Sequence, residues 1–145
     1  MSVMLGGIAV DAVVKILQKE IAKGGRLSDF NGRAYKYEKP QTKGQSDMTE
    51  NAEYIAVNHL PFVHRGAIGE GVVNINVHVP ETKTHEPNTK RLNALTSHIA
   101  ELFPEDTYIA PAYYSFLADS RPTPDSDKTY YINIQLNVRF NNLNK

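Results

Sequence analysis

Apolar side chains recur with helical spacing in two segments of the chain. The stripe in residues 8–23 consists of Val10, Val13, Val14, Leu17 and Ile21. The stripe in residues 88–103 consists of Leu92, Leu95, Ile99 and Leu102. Spacings of three and four residues place such side chains on one face of an α-helix. The pattern therefore predicts two amphipathic helices, the first ending near Gly24 and the second at Pro104.

Strict alternation of apolar and polar residues predicts strands elsewhere. Residues 128–140 alternate without interruption, and residues 71–79 place valine and isoleucine on one side and Asn74, Asn76 and His78 on the other. Shorter segments of strand character lie at residues 33–38, 53–60 and 113–117. This order of elements predicts one α+β domain spanning residues 1–145. Its sheet is expected to be antiparallel or mixed, with about five strands and both helices packed on one face.

The last predicted strand is unusually long. It extends over about 13 residues, whereas strands usually have about 5–6. We therefore expect part of it to pair with another subunit, with contacts also from the polar segment 38–51, because long polar loops are often functional. The predicted interface residues are Tyr130, Ile132, Asn133, Gln135, Asn137 and Arg139 of this strand, with Lys43 and Gln45 of the polar segment.

Composition narrows the classes of function. The chain of 145 residues carries 16 basic and 16 acidic side chains, and this balance argues against a free-standing nucleic-acid binder. It has no cysteine, which excludes disulfides, thiolate zinc ligands and thiol nucleophiles. No apolar run approaches the roughly 20 residues that a membrane-spanning helix needs.

The glycine-rich run Gly66-Ala-Ile-Gly69-Glu-Gly71 superficially resembles a phosphate-binding loop. Such loops follow a strand and open a helix, whereas this run precedes a predicted strand. A hairpin turn is therefore the expected structure.

The histidines and acidic residues form no complete site in the sequence. His59 and His78 could face each other on neighbouring strands, but they lack a third ligand, so solvent-facing or interface histidines are expected. Asp125-Ser-Asp127 begins like a calcium loop, yet Lys128 breaks the pattern, so a solvated turn is expected. No serine lies in a Gly-x-Ser-x-Gly motif. The sequence therefore predicts no catalytic residue, metal ligand or cofactor-binding residue, and no enzyme.

The order of elements resembles a known family. Val-Asn-Ile-Asn-Val-His-Val-Pro at residues 73–80 is followed by Asn-Thr-Lys-Arg-Leu-Asn-Ala-Leu at residues 88–95 and by a long alternating strand at residues 130–140. Together with the leading helix, this layout is similar to the tail-terminator (tail-completion) and head–tail joining proteins of bacteriophages. The resemblance spans most of the chain from Ile8 to Phe140.

The resemblance implies a structural virion protein, made in the host cytoplasm, whose copies form a ring that is commonly hexameric. The ring would end the tail tube and contact the tube protein and the neck or head-completion proteins. Arg121 and Lys128 are loop cations that we expect to face the lumen, where DNA would pass nearby. Two alternatives remain open: a non-viral adaptor or secretion-apparatus subunit, and a small hydrolase that uses a histidine and a carboxylate.

Overall fold

The computed structural model describes residues 4–22, 24–39 and 53–141. The helices are α1 (Gly6–Ile21) and α2 (Thr89–Leu102). The strands are β1 (Ala34–Lys36), β2 (Tyr54–His59), β3 (Val63–Arg65), β4 (Ile68–Pro80), β5 (Thr107–Ile109), β6 (Ala112–Asp119), β7 (Thr123–Pro124) and β8 (Thr129–Asn141). Neither described helix is long and apolar enough to cross a membrane.

All eight strands belong to one mixed sheet. Six of them follow the order β1-β2-β4-β8-β6-β5, while β3 pairs with β4 and β7 with β8. The β1–β2 pair is parallel and the other pairs are antiparallel. The α+β class and the mixed sheet are confirmed, but the prediction of about five strands is too low. The three missing strands, β3, β5 and β7, have two or three residues each and leave little alternation to recognise. Strand β1 is as short, but it lies within the longer predicted segment 33–38.

One apolar core lies between the sheet and the two helices. Alternate residues of β4 face it and oppose alternate residues of β8, as in the cross-strand pairs Val73–Leu136 and Ile75–Ile134. The predicted stripes of both helices reach this core, and the helices also begin and end close to the predicted positions. The Asn88 side chain accepts a hydrogen bond from the backbone N–H of Arg91 at 3.2 Å, which caps the start of α2.

The long strand β8 lies in the interior of the sheet. It pairs with β4 along all 13 of its residues, and its other edge is occupied by β6 and β7. Ile132 is 3% exposed, inside the core. The prediction that this strand pairs beyond the domain is therefore wrong. Alternation correctly indicated which side of β8 is buried, but it does not show which strand lies beside it. Strand β4 has the same length and provides the hydrogen-bond partners for the β8 backbone along one edge.

The glycine run divides between a turn and a strand. The hairpin turn between β3 and β4 is confirmed, with Gly66 at φ +57°. Gly69 and Gly71 lie within β4, where a Cβ atom would come within 2.0 Å of the Phe140 ring and 2.1 Å of the Phe62 ring. These two glycines thus make room for aromatic side chains at this end of the core.

Candidate functional site

The second face of the sheet carries neither helix, and we call it the open face. It is formed by the residues of β4 and β8 that alternate with the core residues, and by their neighbours on β2 and β6. Its centre is half-buried and rich in amides: Asn58, Asn74, Asn76, Asn133, Gln135 and Asn137.

Hydrogen bonds connect the central amides across three strands. Asn74 Nδ2 donates to Asn58 Oδ1 at 2.9 Å. Asn74 Oδ1 in turn accepts from Asn133 Nδ2 at 3.2 Å and from Gln135 Nε2 at 3.3 Å. Asn133 Nδ2 also donates to Asn76 Oδ1 at 2.8 Å. Asparagine is unfavourable in strands, but here the side chains satisfy one another and hold the face in one arrangement.

At one end of the open face, His78 lies between two tyrosine rings. Its centroid is 4.1 Å from that of Tyr54, with the planes within 10°, and 4.9 Å from that of Tyr131. Lys39 Nζ lies 4.5 Å from the centroid of the Tyr54 ring, within the range of a cation–π contact. His78 is only 5% exposed as a result.

A chain of hydrogen bonds runs from His78 into the turn that precedes β8. Asp127 accepts from Tyr54 through Oδ2 and from the Thr129 hydroxyl through Oδ1, both at 2.5 Å. His78 Nδ1 lies 3.0 Å from Thr129 Oγ1. Because the Thr129 proton points at Asp127, Nδ1 of His78 must be the donor in this contact. The chain therefore assigns neutral His78 its Nδ1-protonated tautomer.

The environment of this cluster fixes its charges at neutral pH. Burial lowers the pKa of His78, and the nearby carboxylates of Asp127 and Asp125 oppose only part of that effect. Burial works against ionisation of Asp127 too, but hydrogen bonds from Thr129 and Tyr54 outweigh it and lower the pKa of Asp127. Burial, followed by the bond to Asp127, raises the pKa of Tyr54. His78 and Tyr54 are therefore neutral and Asp127 is ionised.

The residues that could hold a metal are His78, Asp125 and Asp127. One ligand atom from each lies within 4.8 Å of the others, and Asp125 Oδ2 is 3.7 Å from His78 Nδ1. The sequence prediction of a solvated turn at residues 125–127 missed this cluster, since Asp127 is partly buried against Tyr54. His59 does not face His78, because it pairs with Val73 at the other end of β2.

The opposite end of the open face is apolar and aromatic. Val63, Ile68, Tyr108 and Tyr113 are all exposed there, and we call them the end patch. A groove of about 380 Å³ runs beside Ile68, Tyr108 and Tyr113. Arg139 also lines this groove, and its guanidinium donates a hydrogen bond to Asp106.

The predicted interface and lumen residues do not form one cluster. Ile132 is in the core, and the Tyr130 hydroxyl donates to the carbonyl of His85 at 3.2 Å. Asn133, Gln135, Asn137 and Arg139 do share the open face, whereas Arg121 and Lys128 are exposed on the connections beside β7. Lys43 and Gln45 lie outside the described residues. The end patch was not predicted, because its members come from four different strands.

The fold defines an α+β protein with two helices on one face of a curled mixed sheet. No family model matches the chain, and no curated protein matches it. Solved structures of similar fold are known, among them one with a TM-score of 0.52 and 11% sequence identity over 93% of this chain and 96% of the other. The name of that protein states no activity, ligand or partner. At this identity the likeness concerns the fold alone.

Proposed function

We propose that this chain is a structural subunit of a bacteriophage virion, whose copies form a ring that ends the tail tube and joins it to the neck or head. The observation that carries the proposal is the open face, on which an amide centre joined by hydrogen bonds lies beside the exposed end patch. Aromatic side chains are enriched at protein interfaces because they offer a large area with a polar tip. The resemblance of residues 8–140 to tail-terminator proteins supplies the identity of the assembly.

Backbone groups at β1 and at β6 already have hydrogen-bond partners within the chain. This favours contact with other subunits through side chains rather than through backbone pairing. At β1, the carbonyl of Ala34 accepts from Gln18 at 3.5 Å and that of Lys36 accepts from the Glu38 N–H at 2.8 Å. At β6, the N–H of Phe116 donates to the carbonyl of Phe103 at 3.0 Å. Edges protected in this way are poor templates for strand addition. We therefore assign the contact between subunits to side chains of the open face.

Assembly is tested by matched isoleucine variants and light scattering at high protein concentration. Ile68 is 61% exposed in the end patch, and Ile8 is 45% exposed on α1. We expect the wild type and Ile8→Glu to give one closed oligomer, a hexamer on the family resemblance, while Ile68→Glu stays monomeric. A monomeric wild type at every concentration would contradict the ring.

The virion role needs a separate test. Mass spectrometry of purified phage particles is expected to detect the chain, and labelling is expected to place it where tail and neck meet. A chain that oligomerises but is missing from particles would instead support an adaptor or secretion-apparatus subunit. Genes for portal, capsid and tape-measure proteins beside its own gene would favour the virion. In such a ring, Arg121 and Lys128 would face the DNA path.

A further inference from the structure

The turn between β7 and β8 brings oxygen donors to a buried imidazole. Asp125 and Asp127 come from this turn, Thr129 is the first residue of β8, and His78 comes from the neighbouring strand β4. Lys128, with φ +65°, reverses the chain between the two carboxylates and β8. Two separate segments therefore converge on one point.

We propose that His78, Asp125 and Asp127 form a binding site for a divalent transition-metal ion of the Zn²⁺ or Mn²⁺ type. Ligand atoms about 2.1 Å from a common ion lie roughly 3.4 Å from one another in a tetrahedral arrangement. Nδ1 of His78 is 3.7 Å from Asp125 Oδ2, so small side-chain rotations bring these atoms into range. Thr129 Oγ1, 3.0 Å from the same nitrogen, supplies a fourth, neutral donor.

The donor set decides the class of ion. Imidazole nitrogen favours transition metals, whereas Mg²⁺ and Ca²⁺ prefer all-oxygen sites. The two carboxylates match the charge of a divalent ion, and a neutral His78 can bind one through an unprotonated nitrogen. The Tyr54 hydroxyl, which donates to Asp127 at 2.5 Å, would orient that ligand from outside the ion's own shell.

Metal binding at Nδ1 changes the position of the proton on the His78 imidazole. Without metal, Nδ1 carries the proton that it donates to Thr129. When the ion occupies Nδ1, that proton leaves and the other ring nitrogen, Nε2, takes one up, so the imidazole remains neutral. His78 therefore switches tautomer, which the ¹⁵N chemical shifts of its two ring nitrogens report directly. Simple attachment of an ion to exposed carboxylates would leave the tautomer unchanged.

The experiment is a titration of the intact chain with Zn²⁺, followed by calorimetry and by the ¹⁵N shifts of His78. A separate titration with Mn²⁺ is followed by calorimetry alone, because that ion is paramagnetic and broadens the signals of the ring that binds it. We expect one ion per chain and the tautomer switch, with no competition from equimolar Mg²⁺ or Ca²⁺. Asp125→Asn removes one ligand and leaves the Tyr54–Asp127 bond in place, so it is expected to fold and to bind at least tenfold more weakly. Asp119→Asn, at an exposed carboxylate of β6, is the matched control and is expected to bind like the wild type.

Three outcomes would overturn the site. These are no saturable binding, binding with the His78 tautomer unchanged, and equal affinity for the wild type and Asp125→Asn. The measurements are repeated on Ile68→Glu, which is expected to stay monomeric and whose substitution lies at the opposite end of the open face, so the result does not depend on ring formation. If light scattering shows no oligomeric ring, the metal titration is therefore still valid. If the chain binds no metal, the scattering experiment is likewise unaffected.

Discussion

The guanidinium of Arg91 donates two hydrogen bonds to the carboxylate of Glu53, from Nε to Oε2 at 2.6 Å and from Nη2 to Oε1 at 2.9 Å. Glu53 is 8% exposed and also accepts from the backbone N–H of Asn31 at 2.9 Å. Arg91 Nη1 donates to Asp29 at 2.9 Å. This pair thereby joins helix α2 to the segment before β1 and to the start of β2.

Removing Arg91 is expected to destabilise the fold more than its surface position suggests. Arg91→Ala leaves the Glu53 carboxylate buried and unpaired, which costs about 2–4 kcal/mol of unfolding free energy. Arg91→Lys is expected to recover less than half of that loss, because one ammonium cannot reproduce the two-bond contact. Urea unfolding measures both, with Lys90→Ala on the same helix as the control, expected within about 0.5 kcal/mol of the wild type. Equal stability of Arg91→Ala and Lys90→Ala would contradict the role of the pair.

The buried hydroxyl of Tyr114 makes the protein sensitive to alkali. It has no hydrogen-bond partner within the described part of the chain, and burial raises the pKa of Tyr114 to about 12 from the ordinary 10.0. The folded state therefore keeps a proton that the unfolded state loses. This contribution is fully present below pH 10 and is lost as the pH rises through about 12.

Tyr114→Phe is expected to be at least as stable as the wild type at pH 7, by up to about 1 kcal/mol, because it removes an unsatisfied buried group. Between pH 10 and 12 its advantage should grow by about 2 kcal/mol. Thermal unfolding across this range measures the difference between the two proteins, which cancels the other titrating groups. Tyr108→Phe, at an exposed tyrosine, should run parallel to the wild type. A constant difference from pH 7 to pH 12 would show that Tyr114 does not titrate in this way.

Periodicity predicted both helices and strands β1, β2, β4, β6 and β8, because each of these elements buries side chains in the core. Alternation reports which face of a strand is buried, not whether its two edges are paired. A strand between two neighbours and a strand with a free edge show the same alternation, so the pairing of β8 was mispredicted. Strands β3, β5 and β7 depend on the partner strands beside them and leave no pattern of their own.

The candidate site depends on register, which the sequence does not contain. Alternation placed His78 on the polar side of its strand, and this prediction is confirmed. Its neighbours follow from the pairing of Tyr54 with His78 and of His78 with Tyr131. One signal was available: Asp125 and Asp127 directly precede the longest predicted strand. Antiparallel pairing with residues 71–79 brings that start close to His78.

Alanine substitution tests whether packing requires a glycine, and we expect opposite results in β4 and in α1. Gly69→Ala would place a Cβ atom 2.0 Å from the Phe140 ring, which is 5% exposed, so the ring must move. We expect a loss of about 1–3 kcal/mol from overpacking. Gly7→Ala in α1 meets nothing closer than 3.4 Å and should stabilise by about 0.5–1 kcal/mol. Chemical denaturation compares the two, and a stabilising Gly69→Ala would contradict the packing of Phe140 against this glycine.

The amide centre of the open face is expected to act as a coupled unit. Asn74 and Asn133 are joined by a hydrogen bond of 3.2 Å, and each also binds a further amide. In a double-mutant cycle of Asn74→Ala and Asn133→Ala we expect a coupling energy of about 0.5–1.5 kcal/mol. Asn74→Ala combined with Asn93→Ala, on the exposed side of α2, should be additive within about 0.5 kcal/mol. Because every measurement is made on the monomer at low concentration, coupling reports the face itself. Additivity in both cycles would mean that the amides are independently solvated, and the rigid centre on which the assembly proposal depends would then be lost.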